Sequence, residues 1–319
     1  MEKVIGKNVI GGLTPADNGL TEERKTQLRQ QEKKAIKFLQ SVAETYRPLY
    51  LAYSGGKDSE VVLHLAQKAG IEFTPFFNNT TIDPPGTLRY IRSKPNIMIR
   101  QPRRGFFALI EHRGLPSTFQ RFCCDKLKEC YVADYIITGV RRSESKRRAD
   151  RYKSPIDCHV YRNGRHGQNI MPLLYWSNDD VADYIRMEHI TCHPIYYDES
   201  GQFHPERRLG CMACPLAYDR GLKTFKQYPR LVKAWCRALA VYRNTRPKLT
   251  KSVAYFRDEY ENFYHNLYHH TLAELEEKRK QPGYNPKREL EREFCISLPM
   301  AKSTLDAIKE KFRQQAQNR

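Results

Sequence analysis

The sequence lacks any run of 18 apolar residues, which excludes a helix that spans a lipid bilayer. Its first residues contain no apolar segment of the kind that a secretory signal peptide requires. Internal repeats and low-complexity tracts are also missing. We therefore expect a cytoplasmic protein that has no membrane partner.

Acidic residues are scarce relative to basic ones: 36 Asp and Glu stand against 55 Lys and Arg, for a net charge of +19. Such an excess favours polyanionic partners and predicts contact with DNA or RNA. The alternative is that the basic side chains simply face water. Nine cysteines in a cytoplasmic chain of 319 residues indicate metal binding or catalysis rather than disulfides.

Short β-prone runs alternate with helical patterns through the first two thirds of the chain. The predicted strands lie near 48–53, 73–78, 97–100 and 135–140. The predicted helices between them lie near 59–69, 85–93, 105–113 and 125–132. This alternation predicts an α/β fold with a doubly wound, mostly parallel sheet, in which ligands bind at the carboxyl ends of strands.

The domain organisation follows from where these patterns stop. Residues 1–20 are rich in glycine and polar residues and are expected to be flexible. Residues 21–218 form the α/β domain, and Ser177 followed by Asp180 is typical of a helix start within it. The remaining residues, 219–319, are predicted to form a helical C-terminal region. Its helices are expected at 226–244, 253–280 and 301–317.

A glycine turn follows the first predicted strand, and its composition is suited to a phosphate group. Backbone N–H groups and the positive end of the next helix converge at such a turn, and glycines let a phosphate approach closely. Lys57 adds a full charge, and Asp58 is of the type that binds Mg²⁺. The four-residue spacing of the Walker motif is absent. The candidate nucleotide-binding residues here are Ser54, Gly55, Gly56, Lys57, Asp58 and Ser59.

Polar residues also follow two other predicted strands. Thr80, Thr81 and Asp83 come after the second strand, where they either face the nucleotide or form an Asx-type turn before Pro84. Near the fourth strand, Gly139 precedes Arg141 and Arg142, whose guanidinium groups suit phosphate or sulfate. The alternative for these arginines is a solvated basic loop. The whole run 141–153 is basic enough to contact nucleic acid as well.

Two cysteine pairs supply four soft ligands. Cys123 and Cys124 are adjacent, Cys211 and Cys214 form a Cys-x-x-Cys motif, and 86 residues lie between the pairs. Four thiolates suit an iron–sulfur cluster or a tetrahedral zinc ion, and unliganded or redox-active thiols are the remaining alternative. A spacing this long requires the fold, rather than the local chain, to bring the two pairs together.

Five motifs in this order resemble the phosphoadenosine phosphosulfate (PAPS) reductase family of the adenine nucleotide α-hydrolase superfamily, whose fold is of the HUP type. The motifs are Ser54–Ser59, Asn79–Pro85, Arg121–Lys128, Thr138–Ser145 and Arg208–Pro215. They look most like the branch that contains the DNA phosphorothioation sulfurtransferases, over about residues 35–220.

The resemblance implies a [4Fe–4S] cluster on the paired cysteines, with ATP or PAPS as substrate and Mg²⁺ as a further cofactor. It also implies that Lys57, Asp58 and Arg141 are catalytic. Activation of an acceptor by ATP, with release of AMP and pyrophosphate, would then precede sulfur transfer to DNA or RNA. A cysteine desulfurase and other modification proteins are the partners that such a pathway implies.

One departure from the family pattern bears on the reaction. Sulfonucleotide reductases carry a catalytic cysteine in a Glu-Cys-Gly-Ile/Leu-His tail, whereas Cys295, the last cysteine here, is followed by Ile296 and Ser297. This difference favours ATP-dependent chemistry. Two alternatives stay open: a sulfonucleotide reductase or sulfotransferase, and a non-catalytic module that senses nucleotide or binds nucleic acid in a defence or modification complex.

Overall fold

The computed structural model describes residues 12–301 except 17–18, 131, 162–163, 218, 220, 246–254 and 269. The chain divides into two compact units. The first contains the residues up to Pro102 together with Cys124–Cys211, and the second contains Arg103–Cys123 and the residues from Met212 onward. The segment Arg103–Cys123 thus clusters with residues that lie about a hundred positions later, an association that no local pattern reports.

A mostly parallel sheet forms the centre of the first unit. Its strands are β1 Leu49–Ala52, β2 Thr74–Asn78, β3 Met98–Arg100, β4 Tyr135–Ile137, β5 Ile156–Val160 and β6 His166–Ile170. Their spatial order is β3-β2-β1-β4-β6-β5, and β5 alone among these six runs antiparallel to its neighbour. The predicted α/β class and the four predicted strands are confirmed. The β5–β6 hairpin was not predicted.

The order of the strands creates a crevice beside β1. From β1 the chain adds β2 and β3 on one side, and it then returns to place β4 on the other side. Leu51 accordingly pairs with Pro75 on β2 and with Ile137 on β4. At such a switch point the loops after the two central strands diverge and leave room for a ligand. The loops concerned begin at Tyr53 and Thr138.

The first unit contains five described α-helices, and all but the short helix Lys146–Arg151, which has no buried residue, contribute side chains to the core on one face of this sheet. They are α1 Glu22–Thr45, α2 Lys57–Lys68, α3 Thr87–Ser93, α5 Lys146–Arg151 and α6 Asn178–Met187. Side chains of β1 alternate, so that Leu49 and Leu51 join the main core with Val62 of α2. Tyr50 and Ala52 point the other way, to a smaller cluster around Phe76 and Ile136.

Local signals explain where two of these helices begin. The hydroxyl of Thr21 accepts a hydrogen bond from the N–H of Arg24 at the start of α1. At the start of α6, Ser177 and Asp180 exchange hydrogen bonds at 2.9 and 2.7 Å, which confirms the predicted capping box. Near the N-terminus, Leu13 forms an antiparallel bridge with Cys192.

The described part of the second unit is helical. Its helices are α4 Phe106–Arg113, α7 Leu222–Gln227, α8 Arg230–Thr245, α9 Glu259–Tyr268, α10 Leu272–Lys280 and α11 Pro286–Phe294. The helical C-terminal region is confirmed, although the described part of 253–280 contains two helices rather than one. The helix predicted at 301–317 lies outside the described residues from position 302 on.

Two further observations complete the fold. The helix expected at 125–132 is only a π-helical turn, Cys124–Lys128, because Glu129 closes it with a hydrogen bond to the carbonyl of Cys124. No helix within the described ranges is long and apolar enough to cross a membrane.

Candidate functional site

The loop between β1 and α2 is folded by its own hydroxyl groups. The Oγ atom of Ser59 accepts a hydrogen bond from the N–H of Ser54 at 3.2 Å and donates one to the carbonyl of Gly56 at 2.7 Å. Gly55 adopts a φ of 74°, which a side chain rarely tolerates. The two serines and Gly55 therefore fix the turn that carries the chain from strand to helix.

The first turn of α2 faces the crevice at the end of β1. Gly56 is the N-cap residue and provides no side-chain cap for the helix. The N–H of Lys57 donates instead to the hydroxyl of Tyr196 at 3.1 Å. A helix N-terminus that lacks its own capping side chain presents donors and a positive dipole to an anion. This geometry suits the phosphate groups of a nucleotide.

Asp58 joins two cationic side chains at this turn. Its Oδ1 atom lies 2.6 Å from Nε of Arg141, and its Oδ2 atom lies 3.1 Å from Nζ of Lys57. Arg141 is only 1% exposed, and its Nη atoms donate to Ser143 at 2.7 Å and to Asn178 at 2.8 Å. Asp58 is therefore held between two cationic side chains, and Arg141 anchors it to α6.

Gly139 allows the end of β4 to approach this pair. A Cβ atom at Gly139 would lie 3.1 Å from the carbonyl carbon of Asp58 and 3.2 Å from its Cβ atom. The loop after β4 is thereby brought against α2, so Lys57, Asp58, Gly139 and Arg141 share one site. Arg142 has other contacts: its guanidinium lies 5.9 Å from the ring of Tyr175.

The segment after β2 is a tight turn held by its own side chains. The Oδ1 atom of Asn79 accepts a hydrogen bond from the N–H of Thr81, and Oδ2 of Asp83 accepts one from the N–H of Thr80. Burial raises the pKa of Asp83. The thiol of Cys211 lies 3.8 Å from the hydroxyl of Thr80. The Asx-type interaction is made by Asn79, while Asp83 closes the same turn from its other end.

The four predicted metal ligands are divided between the two compact units. Among the residues it describes, no group of three or more His, Cys, Asp or Glu side chains is placed to hold a metal ion. Cys124 and Cys211 belong to the first unit, whereas Cys123 and Cys214 belong to the second. Both oxygens of Asp58 are engaged by cationic side chains, which does not suit a Mg²⁺ ligand. The cluster and the Mg²⁺ site stay predictions.

Sequence reasoning missed several residues that support the loop. Tyr196 contacts it at Lys57, and Asn178 contacts Arg141; both lie in distant segments, and no motif marks them. Glu60 of α2 is 3% exposed and accepts hydrogen bonds from the hydroxyls of Tyr53 and Tyr90, with Nζ of Lys94 at 3.2 Å. Burial raises the pKa of Glu60. An acidic residue within an apolar run was the available signal for this buried network.

Comparison with known proteins gives one family match. The model of the phosphoadenosine phosphosulfate reductase domain matches residues 48–217. An uncharacterized protein of Methanocaldococcus jannaschii is 28% identical over 229 residues, which are 66% of this chain and 45% of that protein. The chain thus spans about half the length of this relative and of a second one from that archaeon, of which it covers 54%.

An enzyme subunit is also similar to the chain. Sulfate adenylyltransferase subunit 2 of Chromohalobacter salexigens is 29% identical over 56% of this chain and 70% of that subunit. Among solved structures, the PAPS reductase of Candida auris covers 61% of this chain and 98% of its own, with a TM-score of 0.41 and 17% identity. Residues 48–217, which the family model matches, include every residue that forms the site around Asp58.

Proposed function

Because the chain belongs to the phosphoadenosine phosphosulfate reductase domain family, we propose that it binds ATP in the loop Ser54–Ser59 and cleaves it to AMP and pyrophosphate. The observation that carries this proposal is the ion-paired Asp58 in the first turn of α2, whose N-cap residue, Gly56, has no capping side chain. It places Lys57 and the loop N–H groups at the switch point of the sheet, where such folds bind nucleotides.

The loop would act on the leaving group. An acceptor oxygen forms a bond to the α-phosphorus of ATP while the bond from that phosphorus to the bridging oxygen breaks, and pyrophosphate leaves with the electron pair. The ammonium of Lys57 has three donors, of which Asp58 takes one, so the others are available to pyrophosphate oxygens. Preorganised donors of this kind stabilise the charge that develops on the leaving group.

The remaining predicted residues receive distinct roles in this proposal. Arg141 is a positioning residue, since its buried guanidinium donates to Asp58, Ser143 and Asn178. Gly139, which has no side chain, lets the loop after β4 lie close to the first turn of α2. The turn after β2 would face the nucleotide with Thr80, Thr81 and Asp83, since β2 is the neighbour of β1 in the sheet. Arg142 would add positive charge after β4.

We further propose that the acceptor is a nucleic acid and that sulfur replaces the activated oxygen. The terminal sulfur of a persulfide on the donor's cysteine attacks the activated centre and displaces AMP. An external dithiol then reduces the S–S bond that remains, which frees the donor's cysteine as a thiol and leaves the sulfur on the acceptor. The net charge of +19 and the motif resemblance to DNA phosphorothioation sulfurtransferases support this acceptor. A cysteine desulfurase would supply the sulfur. No step here uses the cysteine pairs or Mg²⁺.

The family match also keeps reduction or transfer of a sulfonucleotide as a second candidate function. Thiol-dependent release of sulfite from PAPS would support that candidate in place of the first. Tight ATP binding without any product would instead identify a non-catalytic nucleotide-binding module. Iron content and visible absorption, measured anaerobically, test the cluster separately. Loss of both in Cys211→Ser/Cys214→Ser would support it.

The decisive experiment measures pyrophosphate released from radiolabelled ATP in the presence of single-stranded or duplex DNA or RNA. We expect release by the wild type and a loss of at least about 100-fold in Lys57→Ala, because the loop then lacks its cation. Lys37→Ala, which removes an exposed lysine of α1, is the matched control. The proposal fails if no nucleic acid elicits pyrophosphate, or if Lys57→Ala behaves as Lys37→Ala does.

A further inference from the structure

A strongly basic surface begins where the candidate site ends. Seven Lys and Arg residues stand against two acidic residues between Arg141 and Lys153. Lys146 and Arg147 of α5 are exposed, as is Lys153, and the side chain of Arg151 is 49% exposed. Arg151 has one acidic neighbour, Asp157, at 3.9 Å. The outward charge of this helix is therefore largely uncompensated.

An aromatic ring is fixed beside these charges. Tyr175 is 63% exposed, and its hydroxyl donates to the carbonyl of Lys153 at 3.1 Å. The guanidinium of Arg142 lies over the same ring, and that of Arg151 lies 5.0 Å from the ring of Tyr152. The ring of Tyr175 is held at its hydroxyl and by a neighbouring cation, so it presents a fixed face to solvent. A ligand that stacks on this ring would therefore cost little side-chain conformational entropy.

The surface is coupled to the site through one carboxylate. Glu144 accepts a hydrogen bond from the N–H of Arg141 at 3.0 Å and another from the guanidinium of Arg148 on α5. Arg148 also lies within electrostatic range of Asp58, and burial lowers its pKa. A ligand on α5 would thus be held at a fixed position relative to the turn that carries Asp58.

We propose that Lys146, Arg147, Arg151, Lys153 and Tyr175, here named the α5 surface, bind single-stranded nucleic acid. Phosphates would contact the four cations, and one base would stack on Tyr175. An exposed ring of this kind needs a base that is not already stacked within a duplex. The inference rests on the proposed function for the identity of the acceptor, and binding to the surface can be measured apart from turnover.

Fluorescence anisotropy with labelled 20-nucleotide single-stranded DNA and RNA, at several salt concentrations, tests this inference. We expect Lys146→Glu/Arg147→Glu to weaken binding by at least about tenfold and to reduce the salt slope by about 1.4, since each phosphate contact on a single strand contributes about 0.7. Tyr175→Ala should weaken binding by about tenfold and leave the slope unchanged, because it removes stacking rather than charge. The control variant, Lys33→Glu/Lys34→Glu, makes the same charge change at exposed positions of α1. Its affinity for the oligonucleotide should stay within about twofold of that of the wild type.

Three results would overturn the inference. The control variant could lose as much affinity as the α5 variant, the Tyr175→Ala variant could bind as the wild type does, or phosphatidylserine vesicles rather than oligonucleotides could bind at this surface. Lys57→Ala separates the two proposals, because it should abolish pyrophosphate release and retain oligonucleotide binding. Binding that maps to the α5 surface without pyrophosphate release would refute the proposed reaction alone. Pyrophosphate release without such binding would refute nucleic-acid binding by the α5 surface and leave the proposed reaction standing.

Discussion

The carboxylate of Asp58 lies 2.6 Å from Nε of Arg141, and this ion pair joins the first turn of α2 to the loop after β4. The two residues are 83 positions apart in sequence. Arg141 is almost fully buried, so its charge depends on Asp58, Ser143 and Asn178 for compensation. Removal of one member leaves the other without its partner, which is the costly outcome for a buried pair.

We predict that Asp58→Asn and Arg141→Gln each lower the free energy of unfolding by about 2–4 kcal/mol and reduce pyrophosphate release by at least about 100-fold. The double variant should lose less than the sum of the two, with a coupling energy of at least about 1 kcal/mol. Urea unfolding of all four proteins measures the coupling. Additive losses would show that the contact does not hold the site together.

Gly55 provides a second test of the loop. In Gly55→Ala the new Cβ atom would meet Cδ1 of Ile91 at 2.9 Å in a backbone with φ of 74°. Gly70→Ala carries a similar φ of 65° and places its Cβ atom in open space, so it isolates the conformational cost of about 1 kcal/mol. We expect Gly55→Ala to lose about 1–3 kcal/mol more than Gly70→Ala and to weaken ATP binding. Calorimetry measures ATP binding, and thermal unfolding measures stability. Equal losses of stability in Gly55→Ala and Gly70→Ala would argue against a tightly packed loop.

The sequence predicted what local patterns encode. The first four strands, the glycine turn after β1 and the capping box of α6 each follow from residues within a few positions of one another, and all of them are present. The β5–β6 hairpin was missed because His166, Gln168 and Asn169 give β6 a polar composition. That strand is specified by its pairing with β4, which sequence patterns do not report.

Two neighbouring arginines have different contacts, which the sequence alone could not predict. Both Arg141 and Arg142 suited a phosphate, and nothing in the local chain distinguished them. Three-dimensional contacts do: Arg141 is held by Asp58 and Asn178, and Arg142 lies over Tyr175. Tyr196 is a similar case, since 139 positions separate it from Lys57.

Tyr196 gives a prediction with opposite signs for stability and affinity. Its hydroxyl accepts the hydrogen bond from the N–H of Lys57, a donor that a phosphate group would otherwise use. We expect Tyr196→Phe to lower the free energy of unfolding by about 1 kcal/mol without nucleotide and to tighten ATP binding several-fold. Tyr197→Phe, which loses a 2.6 Å bond to the carbonyl of Leu13, is the control and should leave affinity unchanged. Weaker ATP binding in Tyr196→Phe would mean that the hydroxyl supports the nucleotide instead.

His193 makes stability depend on pH. Burial lowers the pKa of this imidazole to about 4, from about 6.5 in the unfolded chain, and Nδ1 accepts a hydrogen bond from the N–H of Ile195 at 3.1 Å. Between these two pKa values the unfolded state binds the extra proton, so the free energy of unfolding falls by about 2–3 kcal/mol as pH decreases from 7 to 4.5. His193→Asn keeps a hydrogen-bond acceptor for the N–H of Ile195 but has no group that titrates. The free energy of unfolding of this variant should therefore fall by about 2–3 kcal/mol less than that of the wild type over the same pH range. Urea unfolding at the two pH values gives the comparison.

His204→Asn serves as the control. The hydrogen bond to Asp198 raises the pKa of His204, so replacing His204 cannot reduce the loss of stability as pH decreases. A wild-type loss matched by that of His193→Asn would show that His193 is protonated as readily in the folded chain as in the unfolded one.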